Sequence, residues 1–130
     1  MPLRVDDLIN DLSVAFPSLV QKPWGHEIMV EARGFIIKVI HVNSGCRTSL
    51  QHHDVKREVS IVLDGGGGIF NDDHRRLDDN KRPSRPVLIV PGMIHRTVGP
   101  CTLLEVTSLE NWDVVRHADD YGRVGEEERL

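Results

Sequence analysis

Gln51-His52-His53-Asp54-Val55-Lys56-Arg57-Glu58 is the stretch on which the reading of this chain turns, together with Pro91-Gly92-Met93-Ile94-His95. In an extended strand side chains alternate between faces, so Gln51 and His53 share one face and His52 takes the other. The polar run from Asp54 to Arg57 reads as a turn, after which Glu58 opens a second strand. Two strands joined by a short turn can aim three donors at one point. His95 follows Pro91-Gly92 at a later strand end and closes the shell. Gln51, His53, Glu58 and His95 offer two imidazoles, one carboxylate and one amide oxygen, a set suited to a borderline divalent metal. Zinc is the expected ion, with nickel, manganese, cobalt and iron as alternatives. Any one of these histidines alone reads more simply as a surface residue. The spacing of the set carries the expectation.

Outward from this run the chain reads as short strands. Glu27 to Ala32, Phe35 to Val42, Arg47 to His53, Glu58 to Leu63, Val87 to Val90, Arg96 to Val98 and Thr102 to Ser108 are separated by glycine, proline and asparagine. Ile69-Phe70 is a brief strand before the polar turn Asn71-Asp72-Asp73, and Lys81 to Pro86 is a loop. Such regular spacing predicts an antiparallel sandwich or barrel. One helix is expected, over Asp6 to Val20, from Leu8, Ile9, Leu12 and Ala15 or Phe16, with Pro17 as its stop. The run Gly65-Gly66-Gly67-Gly68 is followed by neither Lys-Ser nor Lys-Thr, so it marks a bulge or a close backbone approach rather than a phosphate loop.

Two charged residues sit in apolar strands. Lys38 shares its face with Ile36, Ile40 and Val42, and Glu105 lies in Leu103-Leu104-Glu105-Val106. A buried, unpartnered charge costs several kcal/mol on the order given for such groups, so both are expected to face a wet cavity. The opposite register would put Phe35, Ile37 and Val39 inside and leave Lys38 ordinary. Lys38 and Glu105 are the candidate proton-moving pair. Arg47, Arg96, Arg116 and Arg123 are candidates for holding an anionic group, since guanidinium forks match phosphate. For Arg47 and Arg96 a solvated surface charge is an equal alternative.

The bulk numbers narrow the function classes. The 130 residues fit one domain. A formal net charge of -4 argues against a nucleic-acid binder. No apolar run approaches the ~20 residues of a membrane span, and Asp6, Asp7 and Asp11 interrupt any reading of the first residues as a signal peptide. Cys46 and Cys101 make no disulfide framework. A cytoplasmic protein is the expectation.

Gly45, Gln51-x-His53-x4-Glu58 and Gly65 resemble the first cupin motif, with glutamine for its first histidine, and Pro91-Gly92-x-x-His95 resembles the second. Lys22-Pro23-Trp24-Gly25, Ser49-Leu50-Gln51, Asp113-Val114-Val115-Arg116 and Asp119-Asp120-Tyr121-Gly122-Arg123 narrow the resemblance to the type II phosphomannose isomerase cupin, a domain that often ends bifunctional mannose-1-phosphate guanylyltransferases. The resemblance runs from about Lys22 to Arg123. It implies a jelly-roll barrel (double-stranded β-helix) over 22–123, preceded by a helical segment over 1–21 and followed by a tail over 124–130. It implies a metal-dependent interconversion of mannose 6-phosphate and fructose 6-phosphate, and it adds weight to Lys38, Arg116 and Arg123. The chain departs from the family at Val55-Lys56, Val59-Ser60, Gly66 and Gly99, where His-Arg, His-Trp, Thr and Asn are usual. A non-catalytic cupin that binds a sugar or small anion, and a metal-dependent oxygenase, remain open beside the isomerase. The expected partners are a phosphorylated or nucleotide-linked sugar and a second copy of the chain.

Overall fold

The computed structural model describes residues 17–32 and 34–126. Among them are ten strands and no helix: β1 (Ser18–Lys22), β2 (Gly25–Ala32), β3 (Phe35–Val42), β4 (Leu50–His52), β5 (Glu58–Asp64), β6 (Gly68–Asn71), β7 (Val87–Ile89), β8 (His95–Val98), β9 (Cys101–Thr107) and β10 (Val115–Ala118). One sheet has six strands in the order β1-β2-β3-β9-β5-β7, and the other has four in the order β10-β4-β8-β6. Every pairing is antiparallel. Two such sheets wrapped around one interior make the double-stranded β-helix of the cupins.

The start of the barrel corrects one expectation. Ser18–Lys22 pairs residue by residue with Gly25–Met29, so the helix expected over Asp6 to Val20 cannot run past Pro17. The rest of that segment lies outside the described residues. Pro23-Trp24 forms the hairpin turn between β1 and β2. Trp24 folds inward to 5% exposure and joins the core. Gly25 follows at φ 157°, where a Cβ would lie 2.0 Å from the His41 carbonyl oxygen, so only glycine fits. The strand expected over Arg47 to His53 is shorter than the sequence reading, and Arg47 makes only an isolated bridge to Val98. β10 escaped the sequence reading altogether.

The interior has two halves. At one end Trp24, Ile40, Val42, Val62, Ile69, Val87, Ile89, Cys101 and Leu103 form the apolar core. At the other, the inward positions of the same strands are polar. Lys38 pairs across β9 with Glu105, which pairs with Ser60 on β5. All three are buried. The outward positions of β3, Phe35 and Val39, are exposed. Lys38 therefore faces the cavity, and the register with Phe35, Ile37 and Val39 inside does not occur.

The glycine run is a close approach. β5 ends in a register shift between Val62 and Asp64. A Cβ on Gly67 would lie 1.8 Å from the Val98 carbonyl oxygen, and the Gly67 N–H donates to the Pro100 carbonyl at 2.9 Å. Gly67→Ala is expected to cost at least about 2 kcal/mol through overpacking against backbone that cannot move aside. Urea denaturation of the two proteins checks it, and an unchanged midpoint would refute the close packing.

Candidate metal centre

The turn between β4 and β5 is built by a residue far along the chain. The Asp113 carboxylate accepts the backbone N–H groups of Asp54, Val55 and Lys56 at 3.1, 2.6 and 2.8 Å. Burial alone would raise this carboxyl; the donated N–H groups reverse that and hold it below the usual carboxylate range. With the turn fixed, His53 at the end of β4 and Glu58 at the head of β5 face each other. His95 opens β8, where it is the cross-strand partner of Gln51. Neighbouring strands β4 and β8 of the smaller sheet and β5 of the larger one thus deliver their polar groups to one place.

The donor atoms of His53, Glu58 and His95 all lie within 4.8 Å of one another, and the three residues are buried. His53 Nε2 is 2.8 Å from Glu58 Oε1, and His95 Nε2 is 4.0 Å from Glu58 Oε2. The other ring nitrogen of each histidine is committed. Nδ1–H of His53 donates to the Asp113 carbonyl at 2.6 Å, and Nδ1–H of His95 donates to the Met93 carbonyl at 2.9 Å. A carbonyl only accepts, so the neutral tautomers carry their lone pairs on Nε2. Both lone pairs then belong to the enclosed space beside Glu58. Despite its short distance to Glu58, His53 Nε2 makes no hydrogen bond of good geometry and is fully enclosed. An orphaned ring nitrogen beside a carboxylate, with its Nδ1 held by backbone, is the arrangement of a metal-ligating histidine. The residues fit a divalent ion.

Gln51 lines the same cavity. Its amide oxygen accepts from the Ser49 hydroxyl at 2.6 Å and keeps a second lone pair for a fourth bond. His52 takes the opposite face. It contacts His117 at 2.7 Å and Asp54 at 3.1 Å, away from the three donors.

Lys38 and Glu105 line the cavity with the donors. The Lys38 ammonium donates to the Asn111 side-chain oxygen and lies 3.6 Å from Glu27. Burial raises the Glu105 carboxyl, the Glu58 charge adds to it, and Lys38 pulls the other way; the result is pushed up to about 8. Burial also raises Glu58, but contact with His53 and the Lys56 ammonium outweigh it and hold Glu58 well below the carboxylate range. Burial lowers the His95 imidazole, against the pull of Glu58, and so favours the neutral ring that binds metal.

The four arginines divide. Arg116 and Arg123 line the cavity. Each also ties down the C-terminal segment: Arg116 donates to the Glu126 carbonyl at 2.9 Å, and Arg123 makes two bonds to Asp119 at 3.0 Å. Arg47 and Arg96 do not line this cavity. Arg47 is turned outward into a pair of hydrogen bonds with Asp120, at 2.8 and 3.0 Å. Arg96 follows His95 on β8, so alternation sends it to the other face, where it donates to the Thr48 carbonyl at 3.2 Å.

Sequence reasoning missed Lys56, Glu27, Asn111 and Asp113. Lys56 Nζ is 2.9 Å from Glu58 Oε1, and both side chains are buried. Its signal was present: Lys56 and Glu58 are two apart, so they share a face if extension begins before Glu58. Glu27 was equally legible as an inward residue of β2. Asn111 and Asp113 lie in a loop, where no periodicity announces direction.

Two outcomes follow. His53→Ala or His95→Ala is expected to abolish stoichiometric metal, while His52→Ala retains it; metal analysis of the purified proteins decides, and loss with His52→Ala alone would put the register wrong by one residue. The second concerns Glu105 in chelator-treated protein. Its carboxyl keeps a proton to about pH 8 when folded, and releases it near pH ~4.3 when unfolded. Between these values the folded chain holds more protons, so stability falls as pH rises through that window. Glu105→Gln is expected to flatten this slope in urea midpoints taken across it, and an unaltered slope would refute the raised carboxyl.

The family model described as mannose-6-phosphate isomerase C-terminal matches residues 10–120. Alginate biosynthesis protein AlgA of Pseudomonas aeruginosa is 34% identical over 112 residues, 82% of this chain and 23% of its own length. The mannose-1-phosphate guanylyltransferase of Escherichia coli is 36% identical over 115 residues, 81% of this chain and 23% of its own. The chain therefore spans about a quarter of the length of these curated relatives. Among solved structures, a cupin-2 domain from Rhodospirillum rubrum superposes with a TM-score of 0.59 at 13% identity, covering 78% of this chain and 74% of that one, which speaks for the fold alone. With the family model matched over most of its length and its strands folded as a double-stranded β-helix, this chain belongs to the mannose-6-phosphate isomerase C-terminal family of cupins.

Proposed function

We propose that this chain is a metal-dependent aldose–ketose isomerase acting on a phosphorylated sugar, with mannose 6-phosphate and fructose 6-phosphate as the substrate pair. The observation that supports it is one cavity holding a His53–Glu58–His95 donor group beside a buried lysine and a buried, proton-retaining carboxyl. His53, Glu58 and His95, with Gln51 as a fourth donor, would hold a divalent ion, most suitably zinc. Such an ion supplies Lewis acidity toward the carbonyl and hydroxyl oxygens of a sugar.

The remaining work falls to the chain itself. Aldose–ketose interconversion takes a proton from the carbon beside the carbonyl and returns one to the former carbonyl carbon, while a second proton passes between the two oxygens. A carboxyl in the wall of such a cavity can take and give a proton, and Glu105 lines it as the cross-strand partner of Lys38. Lys38 is held in place by Asn111 and Glu27, and its ammonium can donate to an oxygen on which negative charge develops. Arg116 and Arg123 supply positive charge in the cavity wall for a phosphate.

The test is a coupled assay for fructose 6-phosphate formed from mannose 6-phosphate by metal-loaded protein. Lys38→Met and Glu105→Gln are each expected to lower kcat at least about 100-fold while metal content and circular dichroism stay unchanged. A metal-loaded wild-type protein that binds mannose 6-phosphate without turning it over would replace the isomerase with a binding cupin. Oxygen uptake dependent on iron would replace it with an oxygenase.

A further inference from the structure

The edge strand β10 meets β4 through a bulge. Val115 pairs with His52, Arg116 with Gln51 and Ala118 with Leu50, so His117 is the residue left over. A bulge re-aims a side chain, and this one lays the His117 ring over His52, with centroids 4.9 Å apart. His117 is exposed and His52 is half-buried. Both lie on the outer face of the smaller sheet, turned away from His53, Glu58 and His95. His117 Nε2 is 2.7 Å from His52 Nδ1, and His52 Nε2 is 3.1 Å from the Asp54 carboxylate. A carboxylate only accepts, so neutral His52 carries its hydrogen on Nε2 and its lone pair on Nδ1. That lone pair faces the second imidazole.

We propose that His52 and His117 form a second divalent-metal site, open to solvent, for a borderline ion such as zinc. Imidazole is the common ligand of such ions. Asp54 does for His52 what backbone carbonyls do for the buried histidines: it holds the far ring nitrogen and so presents the near one. Two nitrogens bound to zinc at about 2.0–2.1 Å stand roughly 3.3 Å apart in tetrahedral geometry. From 2.7 Å the rings need to part by only a few tenths of an ångström, which side chains at a solvated sheet edge can do by small χ rotations. His117 then loses the hydrogen on Nε2 and gains one on Nδ1, so the ion displaces a hydrogen bond and no net proton. Water fills the remaining positions. With two protein donors the ion exchanges readily with solvent, unlike one enclosed by His53, Glu58 and His95. The other facing pair, His26 and His41, is less suited. Its centroids are 5.4 Å apart, and His41 Nδ1 meets the Thr102 hydroxyl at 3.0 Å. A hydroxyl both donates and accepts, so it fixes no tautomer.

Titration of the full chain with zinc, followed by calorimetry and by the histidine ring signals in NMR, tests this. The wild-type chain is expected to bind one zinc that His117→Ala binds at least about tenfold more weakly. The ring signals of His52 and His117 are expected to move together as that ion binds. His117 is exposed, so circular dichroism of the variant is expected to stay unchanged. Asp54→Asn keeps the shape and removes the charge, and is expected to weaken the same binding about tenfold. The comparison is between variants, so it reads the outer site whether or not the buried centre is filled. Equal zinc uptake by the wild type and His117→Ala up to about 1 mM would overturn the proposal. So would an extra ion that His26→Ala removes and His117→Ala leaves in place.

Discussion

The centre depends on one carboxylate that is not itself among the candidate metal donors. The Asp113 carboxylate gathers three successive backbone N–H groups of the turn after β4. Without it those donors would be largely unsatisfied, and the turn would have no reason to close as tightly as it does. The same residue's carbonyl takes Nδ1–H of His53. One residue near the C-terminal end therefore sets the distance between β4 and β5 and the tautomer of His53 together. This explains why a site made mainly of residues 51–58 needs the chain beyond residue 110. Asn111, two residues earlier, holds the Lys38 ammonium. The loop before β10 thus supports the donor group and Lys38 at once.

A second constraint is the inversion of polarity across the large sheet. On β3, β9 and β5 Lys38, Glu105 and Glu58 point inward beside the apolar core, while Val39, Leu104 and Val59 take the outward positions. Charges are tolerated inside only when they are paired or solvated. Here they are paired: Lys38 with Glu27, Lys56 with Glu58. Burial first, and the nearby Glu58 charge second, raise the Glu105 carboxyl and favour its protonated form. The outward aliphatic residues are the complement of that choice. A strand has only two faces, and a sequence that spends its polar residues on a cavity has apolar ones left for the outside.

How far the sequence was legible follows from these features. Period-two alternation is local, so it separated Gln51 and His53 from His52 and placed Lys38 and Glu105 together. The glycine run reads as a bulge or a close approach, and β5 ends in a register shift with the Val98 backbone against Gly67. Alternation also held the answer for Arg96: a residue directly after His95 in a strand must take the other face. Loops were opaque. Asp113 and Asn111 act through contacts 57 to 73 positions away in sequence, and no local pattern encodes a partner at that distance. β10 was missed because Val115–Ala118 carries only two aliphatic residues and pairs with β4 through a bulge. The helix expected over Asp6 to Val20 failed at its end for a related reason: Leu19 and Val20 fit a helical stripe as well as they fit an edge strand, and tertiary pairing with β2 decided between them.

The departures from the family pattern can now be sorted by where they fall. Val55 and Val59 are both exposed, so the histidines usual at those positions would not enter the cavity. Gly99 packs its backbone against Asn43, where a Cβ would lie 2.0 Å from a carbonyl oxygen, so the local backbone leaves no room for the usual asparagine. Lys56 and Ser60 are the two that line the cavity. Lysine there keeps the positive charge of the usual arginine and places it on Glu58, though as a point charge rather than a fork. Serine in place of tryptophan removes a large flat surface from the wall directly across from Glu105. Both changes fall beside the candidate donors and the charged pair, and neither replaces one of those residues. The departures therefore bear on the shape and grip of the pocket, which choose a substrate, more than on the groups that would carry out the chemistry.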